Sequence, residues 1–242
     1  MTQTTVPAEI SLRSLTAPGI EAVRRYWRPF VLLQTLALLL VIGFYQSHTV
    51  RTACEWLVEL KASGGLIYSA ITVAIAGALL PEAAKAIVLG ERRFGAARLN
   101  GIGFAVAAFA VNGMITDVQY RLLGWIFGND ADVVTVVRKV LADQFITTPL
   151  YGTVYWAILY GWRANGYRLG KTLREISPRW YALRVVPILI PAWCFWIPMT
   201  ALIYSLPATL QVSLFSLAFA AWSLVMIFVA TRPAVEPAPP RE

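Results

Sequence analysis

Residues 117–149, DVQYRLLGWIFGNDADVVTVVRKVLADQFITTP, place charged side chains at the edges of two apolar segments. Asp117 and Arg121 close the first segment, and Lys139 and Asp143 open the second. Each pair is four residues apart and therefore shares one face of a helix. A charged side chain at the depth of the hydrocarbon layer costs free energy, so we expect it to have an oppositely charged partner or a functional role. If the two segments form a hairpin, the four residues meet at one membrane boundary, so we predict a single charged cluster.

The composition indicates a polytopic membrane protein. Hydrophobic residues make up 58% of the 242 residues, charged residues only 14%, and the mean hydropathy is +0.61. A soluble domain of this length carries about a quarter charged residues. Because the apolar runs repeat at about membrane length, we predict an all-α polytopic transmembrane bundle.

The apolar runs divide the chain into about six spans. We expect a polar N-terminal arm over residues 1–28, in which Pro18 and Gly19 break any long helix. A transmembrane helical domain then covers residues 29–230, and residues 231–242 form a disordered, Pro-rich tail. The predicted spans lie at residues 29–45, 65–89, 99–123, from the turn at 128–130 to 162, 182–204 and 209–230.

The distribution of basic residues predicts the orientation. With six spans, 16 of the 21 Lys and Arg residues fall on the side of the termini, which favours both termini in the cytoplasm. Neither a removable signal peptide nor an organellar signal is visible, so we expect a bacterial inner membrane; the alternatives are a mitochondrial inner or a peroxisomal membrane. The basic residues alternate with apolar runs, which argues against nucleic-acid binding.

Small residues predict which faces pack. In the third span, Gly103, Ala107 and Ala110 lie on a face that continues into Asp117 and Arg121. Because small residues let helix backbones approach each other, this face is expected to turn the charged pair towards the bundle.

Two further features have both a structural and a functional interpretation. Glu82 and Lys85 are three residues apart and predict an ion pair within one helix, or a secondary polar site. Pro187, Pro191 and Pro198 predict a kinked or broken fifth span, which either packs tightly or exposes carbonyl groups to a water-filled path.

A polar residue and a basic loop lie at the predicted boundaries of the bilayer. Gln144, beside Asp143, can form hydrogen bonds between helices or line the pathway together with the charged cluster. The basic loop from Arg163 to Arg184 either sets the topology or binds anionic lipid headgroups of the bilayer.

The sequence offers little for catalysis. His48 is the single histidine, and no Gly-rich loop precedes a lysine at the spacing of a phosphate-binding loop. We therefore predict no catalytic residues, no metal site and no cofactor, and a protein that is not an enzyme.

A set of motifs between residues 90 and 230 resembles the Mpv-seventeen family, named with the twenty-two-kilodalton peroxisomal membrane protein. The motifs are Arg92-Arg93 with Gly95, Asp117-x-x-Tyr120-Arg121, Lys139-x-x-x-Asp143-Gln144 with Pro149, Trp193-x-x-Trp196-x-Pro198, Tyr204-x-x-Pro207 and Ala221-Trp222-Ser223. The resemblance implies a small multi-span protein of the pore-forming or metabolite-conducting class.

Two functions follow as hypotheses. In the first, the protein forms or gates a small-solute or ion pathway, and the charged cluster with Gln144 is the gate. In the second, it is a non-conducting structural subunit or scaffold of a larger inner-membrane assembly. Both leave room for a homo-oligomer or for partners in a membrane complex.

Overall fold

A computed structural model describes residues 12–88, 90–91 and 93–230 of the chain. All regular secondary structure in these residues is helical, which confirms the all-α prediction. The predicted Pro-rich tail over residues 231–242 and the first 11 residues of the N-terminal arm lie outside the described residues.

The helices follow one another with short connections. They are α1 (Leu12–Gln46), α2 (His48–Ala74), a π-helical segment (Ile75–Leu79), α3 (Leu80–Val88), α4 (Ala96–Phe127), α5 (Val133–Ala142), a second π-helical segment (Asp143–Gly152), α6 (Thr153–Ala164), α7 (Leu169–Glu175), α8 (Pro178–Arg184), α9 (Val186–Tyr204) and α10 (Ala208–Ala230).

Four helical stretches have the length and the apolar composition that a membrane crossing requires. Among the described residues these are Trp27–Gln46, His48–Ile87, Ala96–Phe127 and Val186–Tyr204, with a shorter apolar helix at Ala208–Leu224. The protein is therefore compatible with integration into a membrane, whereas the count of six spans stays a prediction.

The described residues form two compact units. The first contains residues 12–51 and 121–208, and the second contains residues 52–120 and 209–230, without residues 89 and 92. The chain passes from the second unit to the first within α4, between Tyr120 and Arg121.

In the first unit, helix α1 corrects the expected break in the N-terminal arm. It runs through Pro18 and Pro29 without interruption. Gly19 lies so close to α9 that a Cβ added to it would be 2.6 Å from the Pro187 carbonyl oxygen. A helix that packs against a neighbour over much of its length gains contacts that outweigh the hydrogen bonds lost at proline.

The turn before α5 also differs in detail from the sequence prediction. The N-cap of α5 is Asp132, two residues beyond the predicted Gly128-Asn129-Asp130 turn. Its carboxylate accepts hydrogen bonds from the Val134 and Thr135 N–H groups at 3.0 and 3.1 Å. Hydrogen bonds from Thr135 and Val134 hold the pKa of Asp132 below its ordinary value of 3.8.

Helix α9 is continuous from Val186 to Tyr204, and the predicted fifth span, residues 182–204, is interrupted at Val185, where α8 ends and α9 begins. A kink at the prolines within α9 stays a prediction. Pro187 lies in its first turn, where a missing N–H costs little. Pro198 has no N–H for the carbonyl of Cys194, four residues before it. Gln34 of α1 supplies the missing donor, because its Nε2 lies 3.0 Å from the Cys194 carbonyl oxygen. This carbonyl is therefore satisfied by a side chain, as a packed helix requires.

In the second unit, helix α2 corrects a predicted loop. Residues 51–61 were expected to connect two spans, but they are helical, and α2 begins at His48. Its irregularity lies at Gly65, whose φ of 52° and ψ of −127° depart from helical values. Only glycine adopts such a conformation without strain.

Candidate functional site

A buried ion pair lies in the second unit. The Lys61 ammonium donates hydrogen bonds to Asp117 Oδ2, to Ser69 Oγ at 3.0 Å and to the Gly65 carbonyl oxygen at 2.9 Å. Ser69 Oγ in turn donates to Asp117 Oδ2 at 2.9 Å. Since an ammonium group has three N–H donors, Lys61 has an acceptor for each of them.

The ion pair is almost completely removed from solvent. The exposed fractions are 7% for Lys61, 2% for Asp117 and 0% for Ser69. Charged groups in such an environment are tolerated when they are paired and when hydrogen bonds satisfy their remaining atoms. We call this set of three side chains the Lys61–Asp117–Ser69 triad.

Two glycines allow the triad to form. At Gly65 the departure from helical geometry frees the carbonyl group from the helix ladder, so that it accepts from Lys61 one turn earlier. At Gly113 of α4, an added Cβ would overlap the Ser69 carbonyl group, so α2 and α4 meet here at backbone distance. The close approach brings Asp117 to Lys61.

The chemistry of the triad is that of an ion-pair lock rather than of a nucleophile. A serine is activated by a lysine only when the lysine is neutral and can accept the proton of the hydroxyl group. Here the Asp117 carboxylate favours the charged ammonium, and the Ser69 hydroxyl donates to that same carboxylate. Ser69 is also fully buried, with an exposed fraction of 0%.

A second buried polar site lies in the first unit and is centred on Tyr204. The Tyr204 hydroxyl donates to Asp143 Oδ2 at 2.6 Å. The Lys139 ammonium lies 5.7 Å from the centre of the Tyr204 ring, in a cation–π arrangement. Their exposed fractions are 1% for Tyr204, 1% for Lys139 and 5% for Asp143. We call these three residues with Gln144 the Tyr204 site.

Gln144 differs from the other members of the Tyr204 site. Its exposed fraction is 2%, and its Oε1 has no hydrogen-bond partner among the described residues. Its backbone carbonyl, in contrast, accepts a hydrogen bond from Trp193 Nε1 at 2.8 Å. A buried polar atom without a partner is rare in folded proteins and calls for an explanation, such as a bound water or ligand.

The second π-helical segment explains why Trp193 is needed. In a π-helix each carbonyl accepts from the N–H five residues later, and the partner of the Gln144 carbonyl would be Pro149. Because proline has no N–H, that carbonyl needs a donor from elsewhere. The carbonyl of Pro149 itself accepts from the Tyr181 hydroxyl at 3.0 Å. Side chains of α8 and α9 thus satisfy the backbone of this segment.

The predicted cluster is found in two parts. Asp117 belongs to the second unit, and Arg121, Lys139 and Asp143 belong to the first, so the pairings of Arg121 with Asp143 and of Lys139 with Asp117 stay predictions. Asp117 is buried as predicted. Arg121 is exposed, so the expectation that both members of the pair face inward is wrong for it. A long side chain extends its charged end towards water more easily than a carboxylate.

Three residues of these sites were not among the predicted site residues: Lys61, Ser69 and Tyr204, the last of which belongs to the motif Tyr204-x-x-Pro207. For the triad a signal was present, because Lys61, Gly65 and Ser69 are spaced four residues apart and share one helix face. It was overlooked because residues 51–61 were assigned to a loop. No comparable spacing connects Tyr204 with Asp143, which is 61 residues away in the chain.

The predicted pair of Glu82 and Lys85 forms, with 2.7 Å between Lys85 Nζ and Glu82 Oε1. Arg98 joins it, because its Nε lies 2.9 Å from Glu82 Oε2. Its guanidinium also lies over the ring of Phe94, 4.6 Å from the centre. The three charged groups thus connect α3 with the start of α4.

Among the described residues, no group of three or more His, Cys, Asp or Glu side chains is arranged to hold a metal ion. Comparisons with known protein families, with curated proteins and with solved structures found no match for this chain. The two buried sites and the apolar helices are therefore the features of the molecule that bear on its function.

Proposed function

We propose that this chain is an integral membrane protein of about six spans that forms or gates a pathway for a small solute or an ion. The Tyr204 site is its gate. Both termini lie in the cytoplasm in this proposal, and the membrane is a bacterial inner membrane. The motif resemblance to the Mpv-seventeen family agrees with this class of function and stays a prediction.

Large apolar side chains on the outside of the helices support the membrane assignment. The side chains with exposed fractions well above half include Trp125 (84%), Leu150 (70%), Ile67 (69%), Trp56 (63%) and Leu32 (58%). Exposed side chains of this size and apolar character are favoured by a lipid environment.

The unpartnered Oε1 of Gln144 is the observation that carries the proposed pathway. The ion-pair lock of the triad has an acceptor for every donor, but the Tyr204 site combines this free acceptor with a buried ammonium that lies over an aromatic ring. A conducting path needs polar groups that can bind a solute and release it again. Such groups must keep hydrogen-bonding capacity that the protein itself does not use.

The location of the Tyr204 site supports a movable element. Asp143 and Gln144 open the second π-helical segment. Segments with π-helical geometry are rare and are frequently found at functional sites. Separation of Tyr204 from Asp143 would remove the hydroxyl hydrogen bond from a buried carboxylate and the aromatic ring from a buried cation in a single step.

A second candidate function is a non-conducting structural subunit. The Lys61–Asp117–Ser69 triad favours it, because a fully satisfied and buried ion pair fixes the positions of two helices and needs no solute. Purification in a mild detergent separates the two proposals: partners at fixed stoichiometry support the subunit, and an active protein without partners supports the pathway.

The test of the pathway is electrical recording of the purified protein in planar bilayers. We expect discrete conductance steps from the wild type and a changed selectivity or gating in Asp143→Asn and Gln144→Leu. Asp132→Asn is the matched control, because Asp132 is an exposed aspartate at the other end of α5. Folded protein that is silent across voltage and pH, or variants that conduct like the wild type, would overturn the proposal.

A further inference from the structure

A group of exposed basic and apolar side chains on α7 and α8 has no role in the proposed pathway. The basic patch consists of Arg168, Lys171, Arg174, Arg179 and Arg184, all of them exposed. Large apolar side chains in the same segment are also exposed: Leu169 (55%), Leu173 (51%), Ile176 (42%) and Leu183 (47%). Between residues 168 and 184 the single acidic residue is Glu175, so the net charge of this segment is strongly positive.

The orientation of α7 separates the two kinds of side chain. Thr172 is buried, and its Oγ1 accepts a hydrogen bond from Asn165 Nδ2 at 3.2 Å, which fixes this face of α7 against the end of α6. Leu169 and Leu173 are four residues apart and share one exposed face, and Lys171 and Arg174 share another. Helices with an apolar and a basic face bind at the surface of membranes.

The surface is held in place before any ligand binds. Asn165 also donates to the Glu175 carboxylate at 3.1 Å, so the acidic group of the segment is engaged by the protein. On α8, the Tyr181 hydroxyl is fixed by its hydrogen bond to Pro149, and Ser177 caps the helix by accepting from the Trp180 N–H at 3.1 Å. A preorganised surface loses little conformational entropy on binding.

The position of α8 directly before α9 indicates which ligand lies next to this surface. Helix α8 ends at Arg184, and α9, one of the apolar helices of membrane length, begins at Val186. The basic residues of α8 therefore lie within a few residues of the point where the chain enters an apolar environment. At that level of a bilayer the available anions are lipid phosphate groups.

We infer that α7 and α8 form a binding surface for anionic phospholipid headgroups, with the apolar side chains in the interfacial layer and the basic patch on the phosphates. A nucleic acid would use the basic residues but not the exposed leucines, so the lipid accounts for both. The inference does not depend on conduction, because a silent protein and a conducting protein would bind the same lipids.

The test is the affinity of the full-length protein, in neutral detergent, for short-chain phosphatidylglycerol and for phosphatidylcholine. Affinity is read from the ligand-dependent rise of the thermal midpoint and from bound lipids counted by native mass spectrometry. A basic residue near an anionic surface contributes about 1 kcal/mol, which corresponds to about fivefold in affinity.

We expect Arg174→Gln to weaken phosphatidylglycerol binding about fivefold and to leave phosphatidylcholine binding unchanged. The matched control is Arg138→Gln, which removes one exposed basic charge from α5 and should change neither affinity. The triple variant with Lys171, Arg174 and Arg179 all changed to Gln should lose about a hundredfold, and higher salt should weaken the wild type in the same direction.

Three results would overturn the inference. The first is equal binding of both lipids by the wild type. The second is a loss of phosphatidylglycerol binding in Arg138→Gln as large as that in Arg174→Gln. The third is a rise of the thermal midpoint with glycerol phosphate alone as large as that with the lipid. The last result would show a site for free phosphate. If the triple variant does not fold, the single variants and the salt dependence still decide between these outcomes.

Discussion

Replacement of Lys61 by Met tests whether the buried triad is the main ion-pair lock of the second unit. Methionine keeps most of the length of the side chain and removes the charge and all three N–H donors. The Asp117 carboxylate, 2% exposed, would keep the Ser69 hydroxyl but lose its cation. Removal of one partner of a buried ion pair costs about 3–5 kcal/mol, because the other charge stays buried. We expect a loss of that size in the free energy of unfolding.

The double variant Lys61→Met/Asp117→Leu makes the prediction more specific. Replacement of both members of a buried pair by apolar residues of similar volume is often neutral, or stabilising by about 1–4 kcal/mol. We therefore expect the double variant to be more stable than Lys61→Met alone. This non-additivity identifies the loss of the buried ion pair, rather than a packing defect, as the cause of the lower stability.

The assay is reversible unfolding in mixed micelles, followed by circular dichroism, with Lys85→Met as the control. Lys85 forms a similar ion pair with Glu82, but its side chain is 36% exposed, and exposed pairs contribute about 0–1 kcal/mol. The reasoning is refuted if Lys61→Met costs no more than Lys85→Met. It is also refuted if the losses of the two single variants add up in the double variant.

Three further predictions concern backbone geometry and capping. Gln34→Leu should lower the free energy of unfolding by about 1–3 kcal/mol, because it leaves the Cys194 carbonyl of α9 without a donor. Adding Pro198→Ala should recover part of this loss, since the alanine N–H replaces the missing donor. Unfolding of the single and double variants measures both effects. Gly113→Ala should destabilise by about 1–3 kcal/mol where α2 and α4 meet, whereas Gly103→Ala, with open space around it, should not destabilise in the same assay. The capping contribution of Asp132, whose folded-state pKa is lowered, is present above pH 3.8 and is lost as the pH falls through the lowered value. Circular dichroism of the wild type against Asp132→Asn, which caps without titrating, should therefore diverge only in that acidic range.

The sequence was sufficient where the signal is local. Apolar runs predicted helices, and the spacing of Glu82 and Lys85 predicted their ion pair. Asp117 is buried as predicted, but Gly103 and Ala107 of the same face are exposed, so the expectation that small residues pack this end of α4 is wrong. Each of these inferences needs only the periodicity of a helix and the cost of buried charge.

The sequence was insufficient where the partner of a group comes from a distant part of the chain. Asp117 has at least three basic residues nearby in the sequence or on the predicted hairpin, yet the structure gives it Lys61, 56 residues away. The choice depends on the departure from helical geometry at Gly65, because that departure presents its carbonyl to Lys61. A glycine in a helical pattern indicates that such a conformation is accessible without strain, but not that the chain adopts it.

The prolines show the same limit on prediction, and they lie close in the chain to the proposed gate. From the sequence one can count the carbonyls that lose a donor, four residues before a proline in an α-helix and five residues before it in a π-helix. The donors cannot be named in that way, because Gln34 and Trp193 reach their carbonyls across 160 and 49 residues. In both cases a side chain donates the hydrogen bond for which proline has no N–H. The side chain of Gln144, one residue after Asp143 at the start of the π-helical segment, receives no such compensation from the described residues. The unpartnered acceptor within the Tyr204 site points to a group from outside the chain as its partner, and the bilayer recordings of Gln144→Leu address that group directly.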